Sequence, residues 1–198
     1  MICRLALTGA QGTGKSTLAR AIADRLRLSS IGDIGLHSGL GDRVSDWGHA
    51  VGAHATADTV LMFARLHQVR VAAASERVQI FDRSLLDTLA YADVLNCLSR
   101  TDMDALSAAT RAACAQIDRQ IWLRVTVDYP VESARDESSE FRRAVDEAIG
   151  RFARAYSLRL VEYAIPPERI DDIAASVCDD VVIHMRRRAE PAAQPNRQ

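Results

Sequence analysis

The residue types best suited to chemistry lie in the segment 9–16, Gly-Ala-Gln-Gly-Thr-Gly-Lys-Ser, which fits the pattern Gly-x-x-x-x-Gly-Lys-Ser/Thr. Its glycines let backbone N–H groups turn towards phosphate oxygens, and the helix expected after it adds the positive end of its dipole. We expect Lys15 to reach the β- and γ-phosphates of a nucleoside triphosphate and the Ser16 hydroxyl to coordinate Mg²⁺. The pattern therefore predicts a phosphate loop (P-loop) that binds ATP and Mg²⁺. The residues predicted to bind the nucleotide are Gly9, Gln11, Gly12, Thr13, Gly14, Lys15, Ser16 and Thr17.

Lys15 is the only lysine of the chain, and the other 24 of its 25 basic residues are arginine. A GC-rich genome accounts for a general bias towards arginine, but it does not explain why this one position keeps lysine. An ammonium group is a compact point charge that fits inside a tight loop, whereas the planar guanidinium of arginine does not. With no second lysine, the chain has no Asn-Lys-x-Asp motif, which excludes guanine recognition of the GTPase kind.

Asp82, Arg83 and Ser84 end and follow the predicted buried strand Val78–Asp82. An acid at this position in a P-loop enzyme binds Mg²⁺ directly or through water, so we predict Ser16 and Asp82 as the metal ligands. The forked donors of Arg83 suit the phosphate or hydroxyl region of a second substrate. The alternative is that Asp82 caps the following helix and Arg83 is solvated.

Apolar strands alternate with amphipathic helices along the chain. This order predicts an α/β fold of three layers, with a parallel five-stranded sheet covered by helices on both faces. The predicted strands are Ile2–Thr8, a short strand ending near Asp33, Val78–Asp82, Ile121–Val127 and Leu158–Tyr163. The predicted helices are Ser16–Leu28, Ala55–Ser75, Leu85–Leu98, Met103–Cys114, Phe141–Leu160 and one from Pro166-Pro167 to about Arg187. Ligands of such folds bind beyond the carboxyl ends of the strands, where we expect Gly9, Asp33, Asp82 and Asp128 to meet.

The segment 32–52 holds six of the ten glycines of the chain, so we predict an adaptable surface loop there. Trp47 in this segment is either a local packing anchor or one wall of a substrate pocket. We predict a single domain over residues 1–188 and a disordered tail at residues 189–198, which contain two prolines and no periodicity.

Composition excludes several classes of protein. The formal net charge of −1 and a pI of about 6.5 give no global basic field, so we expect no stable nucleic-acid partner. No apolar stretch approaches the roughly 20 residues of a membrane span, and the start resembles no signal peptide, so we expect a cytoplasmic protein without membrane contact. The four cysteines and five histidines form no zinc-binding spacing, so we expect reduced thiols and no structural metal.

The run from Ile80 to Tyr91, Ile-Phe-Asp-Arg-Ser-Leu-Leu-Asp-Thr-Leu-Ala-Tyr, resembles the Asp-Arg motif and following helix of the P-loop nucleoside and nucleotide kinases. The similarity is strongest to the small AAA-like ATP-binding group that includes the ribosylnicotinamide kinase domain. Thymidylate and deoxynucleoside kinases carry related motifs. The segment Arg135-Asp136-Glu137-Ser138, together with Arg142, resembles the lid of that group.

The resemblance implies a short arginine-containing lid at about residues 129–142, with Arg135 and Arg142 closing over the transferred phosphoryl group. Positive charge brought in by closure stabilises that group and excludes water. Alternatively, the arginines of this region form the solvated face of an amphipathic helix. Related kinases are often dimers, so the resemblance also implies a possible homodimer.

One feature departs from that group, because nucleoside kinases of this type place a carboxylate after the second strand to deprotonate the acceptor. The chain has no glutamate before Glu76, which leaves Asp33 as the candidate base, with Asp42, Asp46 and Asp58 less well placed. If Asp33 is that base, the acceptor is a neutral hydroxyl; if it is not, an anionic nucleoside monophosphate is favoured.

The sequence therefore predicts an ATP- and Mg²⁺-dependent kinase acting on a small-molecule acceptor, most of all a nucleoside or nucleoside monophosphate. The predicted catalytic residues are Lys15, Asp33, Asp82, Arg83, Arg135 and Arg142. Two alternatives stay open: a kinase of another small hydroxyl compound, such as a ribosylnicotinamide-like nucleoside, and a regulatory ATPase or switch.

Overall fold

The computed structural model describes residues 2–125, 138–164 and 169–189, in which five parallel strands form one sheet in the order β2-β3-β1-β4-β5. The strands are β1 (Cys3–Thr8), β2 (Ile34–His37), β3 (Val78–Asp82), β4 (Arg119–Arg124) and β5 (Leu160–Ala164). The helices are α1 (Lys15–Arg27), α2 (Leu40–Asp46), α3 (Ala57–Ala73), α4 (Leu85–Leu95), α5 (Arg100–Cys114), α6 (Ser139–Ala155) and α7 (Ile170–Ala189), with a short 3-10 helix at Gly52–His54. The predicted three-layer α/β fold with a five-stranded parallel sheet is confirmed.

Helices bury the central strands on both faces, but only one face is mainly apolar, because the other carries the buried polar side chains of Thr8, Gln79 and Gln120. On one face, Leu5, Leu7 and Ile80 pack against α1 and α7 in a core to which Ile22 and Val181 also belong. On the other face, α3, α4, α5 and α6 form two further apolar clusters. Packing on both faces holds β1 and β3 rigidly at the centre, so the loops that follow them have fixed starting points.

The segment 32–52 is more regular than predicted, because it contains β2 and α2. The predicted second strand, ending near Asp33, is wrong: β2 begins directly after Asp33 and pairs with β3 in a register that places Ile34 beside Val78. The sequence of β2, Ile-Gly-Leu-His, is too short to show a period. A Cβ at Gly35 would lie 2.4 Å from the carboxylate carbon of Glu76, so a larger residue there would require the flexible Glu76 side chain to move.

Smaller differences concern the ends of later elements. Strand β4 begins at Arg119, two residues before the predicted start, and α6 ends at Ala155 because the chain turns at Ser157, whose φ is +54°. The predicted lid at residues 129–142 lies mostly outside the described residues, as do Asp128, Pro166-Pro167 and the tail from residue 190. The lid, the bounds of the domain and the disordered tail therefore stay predictions. Among the described helices, none has the length and apolar character needed to span a membrane.

Candidate active site

The loop between β1 and α1 has the backbone that a phosphate site needs. Gly12 and Gly14 have positive φ angles of 74° and 83°, and a Cβ at Gly9 would lie 2.5 Å from the Leu123 carbonyl oxygen. Other residues are strained in such conformations or lack the space, so these glycines are required by geometry. Helix α1 begins at Lys15 after Gly14, which has no side chain to cap it. The first N–H groups of α1 therefore point to the site where a phosphate is expected.

The Lys15 ammonium lies inside this loop and is only 5% exposed. Its Nζ atom donates hydrogen bonds to the carbonyl oxygens of Gly9, at 2.7 Å, and Ala10, at 2.6 Å. These bonds hold a positive charge at the centre of a ring of backbone groups. The arrangement suits an anion that enters the loop from outside.

Ser16 and Asp82 form a hydroxyl–carboxylate pair at the mouth of the loop. The Ser16 hydroxyl donates to Asp82 Oδ2 at 2.6 Å, whereas the buried Oδ1 atom has no hydrogen-bond partner among the described residues. A buried carboxylate oxygen without a partner is costly unless something binds it. Hydroxyl and carboxylate oxygens are the ligands that Mg²⁺ prefers, so this pair fits the predicted ion.

Asp87 joins the phosphate loop to the turn after β3, a role that the sequence analysis missed. Its Oδ1 accepts from Gly9 N at 2.7 Å and its Oδ2 accepts from Ser84 N at 2.8 Å. Complete burial raises the pKa of this carboxyl group, while the nearby charges of Lys15 and Arg83 and the two N–H donors act against that shift. The spacing Ser84-x-x-Asp87 is a capping box, and that signal could have identified the pair. Ser84 is the N-cap residue of α4, so the alternative that Asp82 caps this helix is wrong.

Arg83 lies in an unusual backbone conformation, with a φ of +103°. Such a φ is costly for a residue with a Cβ and persists only where surrounding contacts hold it. One such contact comes from Arg70 of α3, whose guanidinium donates to the His37 carbonyl oxygen at 2.9 Å and reaches the Arg83 carbonyl oxygen at 3.5 Å. Burial lowers the pKa of Arg70 to about 10. Arg70 thus links the carboxyl ends of β2 and β3, and nothing in its sequence context indicated this.

Arg142 is in the second turn of α6 and is only 2% exposed. Its Nε donates to the Gln11 carbonyl oxygen at 2.9 Å, and the Gln11 N–H donates to the Tyr91 hydroxyl at 3.2 Å. The structure therefore places Arg142 against the phosphate loop. Arg135, the second predicted lid arginine, lies outside the described residues.

An open cavity lies beside the phosphate loop and Arg83. Most of its lining is apolar and comes from the segment 41–63 and from α4. The lining residues are Gln11, Gly41, Val51, Gly52, Ala55, Val60, Phe63, Arg83, Asp87, Thr88 and Tyr91. Trp47 is not in this lining and is 54% exposed, so neither sequence interpretation of Trp47 fits the structure.

Asp33 is not part of this site, and its predicted catalytic placement is wrong. It precedes β2 and lies at the amino edge of the sheet, where its Oδ1 accepts from Arg77 N at 3.0 Å. The carboxyl end of β2 holds His37 instead, whose ring stacks on Phe81 at a centroid distance of 4.9 Å. The prediction failed because the strand starts where it was expected to end.

A glycine-rich loop leading into a helix, with an acid at the end of the neighbouring strand, defines a P-loop nucleotide-binding α/β protein. The chain belongs to a family described as AAA domain, whose model matches residues 4–169. The predicted resemblance to the P-loop nucleoside and nucleotide kinases is confirmed. No curated protein matches the chain.

Several solved structures share the fold at low sequence identity. A deoxyadenosine kinase from M. mycoides, bound to dCMP and dCDP, has a TM-score of 0.65 at 14% identity, over 91% of this chain and 99% of that one. A thymidylate kinase from Ehrlichia chaffeensis has a TM-score of 0.63 at 15% identity, over 90% and 98%. A NadR protein in complex with NR has a TM-score of 0.70 at 16% identity, over 90% of this chain but 51% of that one. At these identities the likeness shows the fold.

Proposed function

We propose that this protein transfers a phosphoryl group from Mg²⁺-bound ATP to a small acceptor, a nucleoside monophosphate or a nucleoside. One observation carries the proposal. Three features adjoin one another at the carboxyl ends of the strands: Lys15 in its loop, the Ser16–Asp82 pair and the cavity beside Arg83. In this arrangement the donor phosphates, the metal ion and the acceptor would each occupy a different part of the site.

The donor half of the site works through charge and backbone N–H groups. The N–H groups of the loop and the Lys15 ammonium bind the β- and γ-phosphates, and Lys15 exchanges its bonds to the Gly9 and Ala10 carbonyls for bonds to phosphate oxygens. Ser16 and Asp82 would hold Mg²⁺, which when bound supplies charge stabilisation for the phosphoryl oxygens. Arg142 already contacts the loop backbone, and closure of residues 129–142 would add Arg135. The same closure would exclude water and limit hydrolysis of ATP.

The acceptor side of the site favours a nucleoside monophosphate over a nucleoside, whose acceptor group is a neutral hydroxyl. The only carboxylate of the cavity lining, among the described residues, is Asp87, and both its oxygens accept backbone N–H groups. Asp33 lies at the opposite edge of the sheet and cannot act as the base. An acceptor oxygen that is already ionised needs no base, and Arg83 supplies positive charge beside it. The apolar lining with Phe63 and Tyr91 suits a flat heterocyclic base.

A nucleoside is the second candidate acceptor. Solved structures that share the fold of this chain include a deoxyadenosine kinase and a NadR protein bound to NR, and both align over about 90% of this chain. Phosphorylation of a nucleoside hydroxyl would require a base from outside the cavity lining described above. A cytoplasmic location and a homodimer also remain proposals carried by the sequence.

The test is a screen of nucleosides and nucleoside monophosphates for stimulation of ADP release from ATP. We expect one monophosphate to stimulate release strongly. Arg83→Lys should raise the KM of that acceptor at least about tenfold, because an ammonium group cannot make the two parallel hydrogen bonds that a guanidinium makes to a phosphate. The matched control is Arg65→Lys, a change of an exposed arginine, which should leave this KM unchanged. Slow hydrolysis that no acceptor changes would contradict the proposal and favour a regulatory ATPase.

A further inference from the structure

A second cluster of chemically active side chains lies at the amino edge of the sheet, away from the phosphate loop. It consists of Cys3, the first residue of β1; Asp118, which directly precedes β4; and His184 of α7. One ligand atom of each, the thiol sulfur, a carboxylate oxygen and an imidazole nitrogen, lies within 4.8 Å of the other two. We propose that this cluster binds a transition-metal ion of the zinc class.

The geometry around His184 and Asp118 supports a ligand site. The Nε2 atom of His184 is buried and makes no hydrogen bond to any described residue, although it lies 3.7 Å from Asp118 Oδ1. The other carboxylate oxygen, Oδ2, accepts from Arg4 N at 2.9 Å. That bond fixes the orientation of the carboxylate and directs Oδ1 towards the imidazole. Carboxylates that bind metal ions are typically oriented in this way by a hydrogen bond to the oxygen that does not face the metal.

The donor set selects the class of metal. A thiolate, an imidazole and one carboxylate are ligands of Zn²⁺ and similar ions, whereas Mg²⁺ and Ca²⁺ need several oxygen ligands. Tetrahedral zinc places its ligand atoms roughly 3.5 Å apart, so ligand atoms that now lie within 4.8 Å of one another would have to approach by up to about 1 Å. The side chains of Asp118 and His184 are 17% and 16% exposed, which leaves a path for a water molecule as fourth ligand.

One neighbouring cation competes with the metal for the same oxygen. Arg188 NH1 lies 3.1 Å from Asp118 Oδ1, and its side chain is half exposed. The guanidinium can therefore withdraw into solvent when a metal ion takes its place. This competition gives a specific expectation: removing the charge of Arg188 should strengthen metal binding by about 1.5-fold to fivefold, as expected for the loss of one partly exposed ion pair.

Bound metal would tie the amino ends of β1 and β4 to the last helix. Helix α7 packs on the same core as α1, β1 and β4, so the metal would stabilise that layer against unfolding. The cluster and the phosphate loop lie at opposite ends of β1. We therefore expect metal binding here to leave ATP binding unchanged, and this proposal is independent of the proposed function.

The test uses the full chain, freed of metal with a chelator and titrated with Co²⁺. The expected result is one equivalent of bound Co²⁺ with a thiolate-to-cobalt absorption band, which one equivalent of Zn²⁺ removes. Cys3→Ser and His184→Ala should each abolish the band, whereas Cys178→Ser, a change of another buried thiol, should keep it. Arg188→Gln should keep the band and bind Co²⁺ more tightly.

Circular dichroism of each metal-free variant verifies that it is folded. Absence of the band in the folded wild-type protein would overturn the proposal. It would equally be overturned if folded Cys3→Ser retained the band, because the metal would then be bound by another thiol.

Discussion

At the scale of single residues, Asp87 lines the candidate acceptor cavity and also joins the two loops that form the site. It is buried, and its two oxygens accept the N–H groups of Gly9 and Ser84, which belong to the two loops that form the site. A buried carboxylate is tolerated only when such donors and nearby positive charge compensate its burial. Lys15 and Arg83 supply that charge.

Asp87→Asn should therefore destabilise the protein clearly, although the two side chains are nearly the same size. An amide keeps one acceptor oxygen but turns an NH₂ group towards a backbone N–H, so one donor loses its partner. We expect a loss of about 1–3 kcal/mol in the free energy of unfolding, measured by urea denaturation. The exposed Asp104→Asn on α5 is the matched control. Equal stability of the two variants would contradict the role given to Asp87.

His67 makes a separate prediction about pH. Burial, together with the charge of Arg70, lowers the pKa of this imidazole from 6.5 to about 3. In the unfolded chain His67 binds a proton near pH 6.5, whereas in the folded protein it stays neutral until about pH 3. The free energy of unfolding contributed by His67 is therefore fully present above pH 6.5 and is lost as the pH falls through that window.

Replacement of His67 by Gln removes the titrating group and leaves an acceptor for the Arg70 guanidinium, which lies 3.2 Å from His67 Nδ1. Urea denaturation of this variant between pH 7 and pH 4 should show a smaller loss of stability than the wild type. The exposed His54→Gln should behave as the wild type does. An unchanged pH dependence in His67→Gln would show that the imidazole is not held neutral by its surroundings.

At the scale of secondary-structure elements, α3 positions the acceptor side of the site. Its Arg70 bonds to the carbonyl oxygens of His37 and Arg83, so one guanidinium spans the carboxyl ends of β2 and β3. The same guanidinium lies 5.7 Å from the centroid of the Phe81 ring. The bond from Arg70 to the Arg83 carbonyl oxygen is one contact that holds the strained Arg83 backbone, and Arg83 lines the cavity.

Arg70→Lys should therefore weaken the acceptor side and spare the donor side. A lysine cannot span two carbonyl oxygens in one plane as a guanidinium does. We expect the KM of the acceptor to rise by about tenfold while the affinity for Mg²⁺-ATP changes little, measured by steady-state kinetics and by nucleotide titration. A parallel loss of both affinities would indicate a general loss of structure instead.

At the scale of the whole molecule, the buried parallel sheet fixes where the chemistry takes place. Strands β1 and β3 lie side by side and are buried on both faces, and the register that pairs Leu7 with Asp82 places the phosphate loop next to the acid. The phosphate loop after β1 and the turn after β3 are therefore held next to each other. The two proposed sites lie at opposite ends of the strands. The candidate active site is at their carboxyl ends, and the candidate metal site is at their amino ends.

Features that depend on residues close together in the sequence could be predicted, whereas features that depend on residues far apart in the sequence could not. The phosphate loop was predictable from its own eight-residue motif, and Asp82 was predictable because it directly ends a mainly apolar run. Asp33 was misplaced because β2 has four residues, and its bounds depend on pairing with β3 rather than on a local pattern. Arg70 and the Cys3–Asp118–His184 cluster were not predictable, because their partners are distant in sequence and meet only in the folded sheet.

The most direct test of the central claim is calorimetric titration of the purified protein with ATP in the presence of Mg²⁺. The account predicts one binding site per chain, lost in Lys15→Ala, whose circular dichroism should remain that of the wild type. It also predicts that removal of Mg²⁺ or the change Asp82→Asn weakens binding at least about tenfold. An absence of binding to the folded wild-type protein, or binding that Lys15→Ala leaves unchanged, would contradict it.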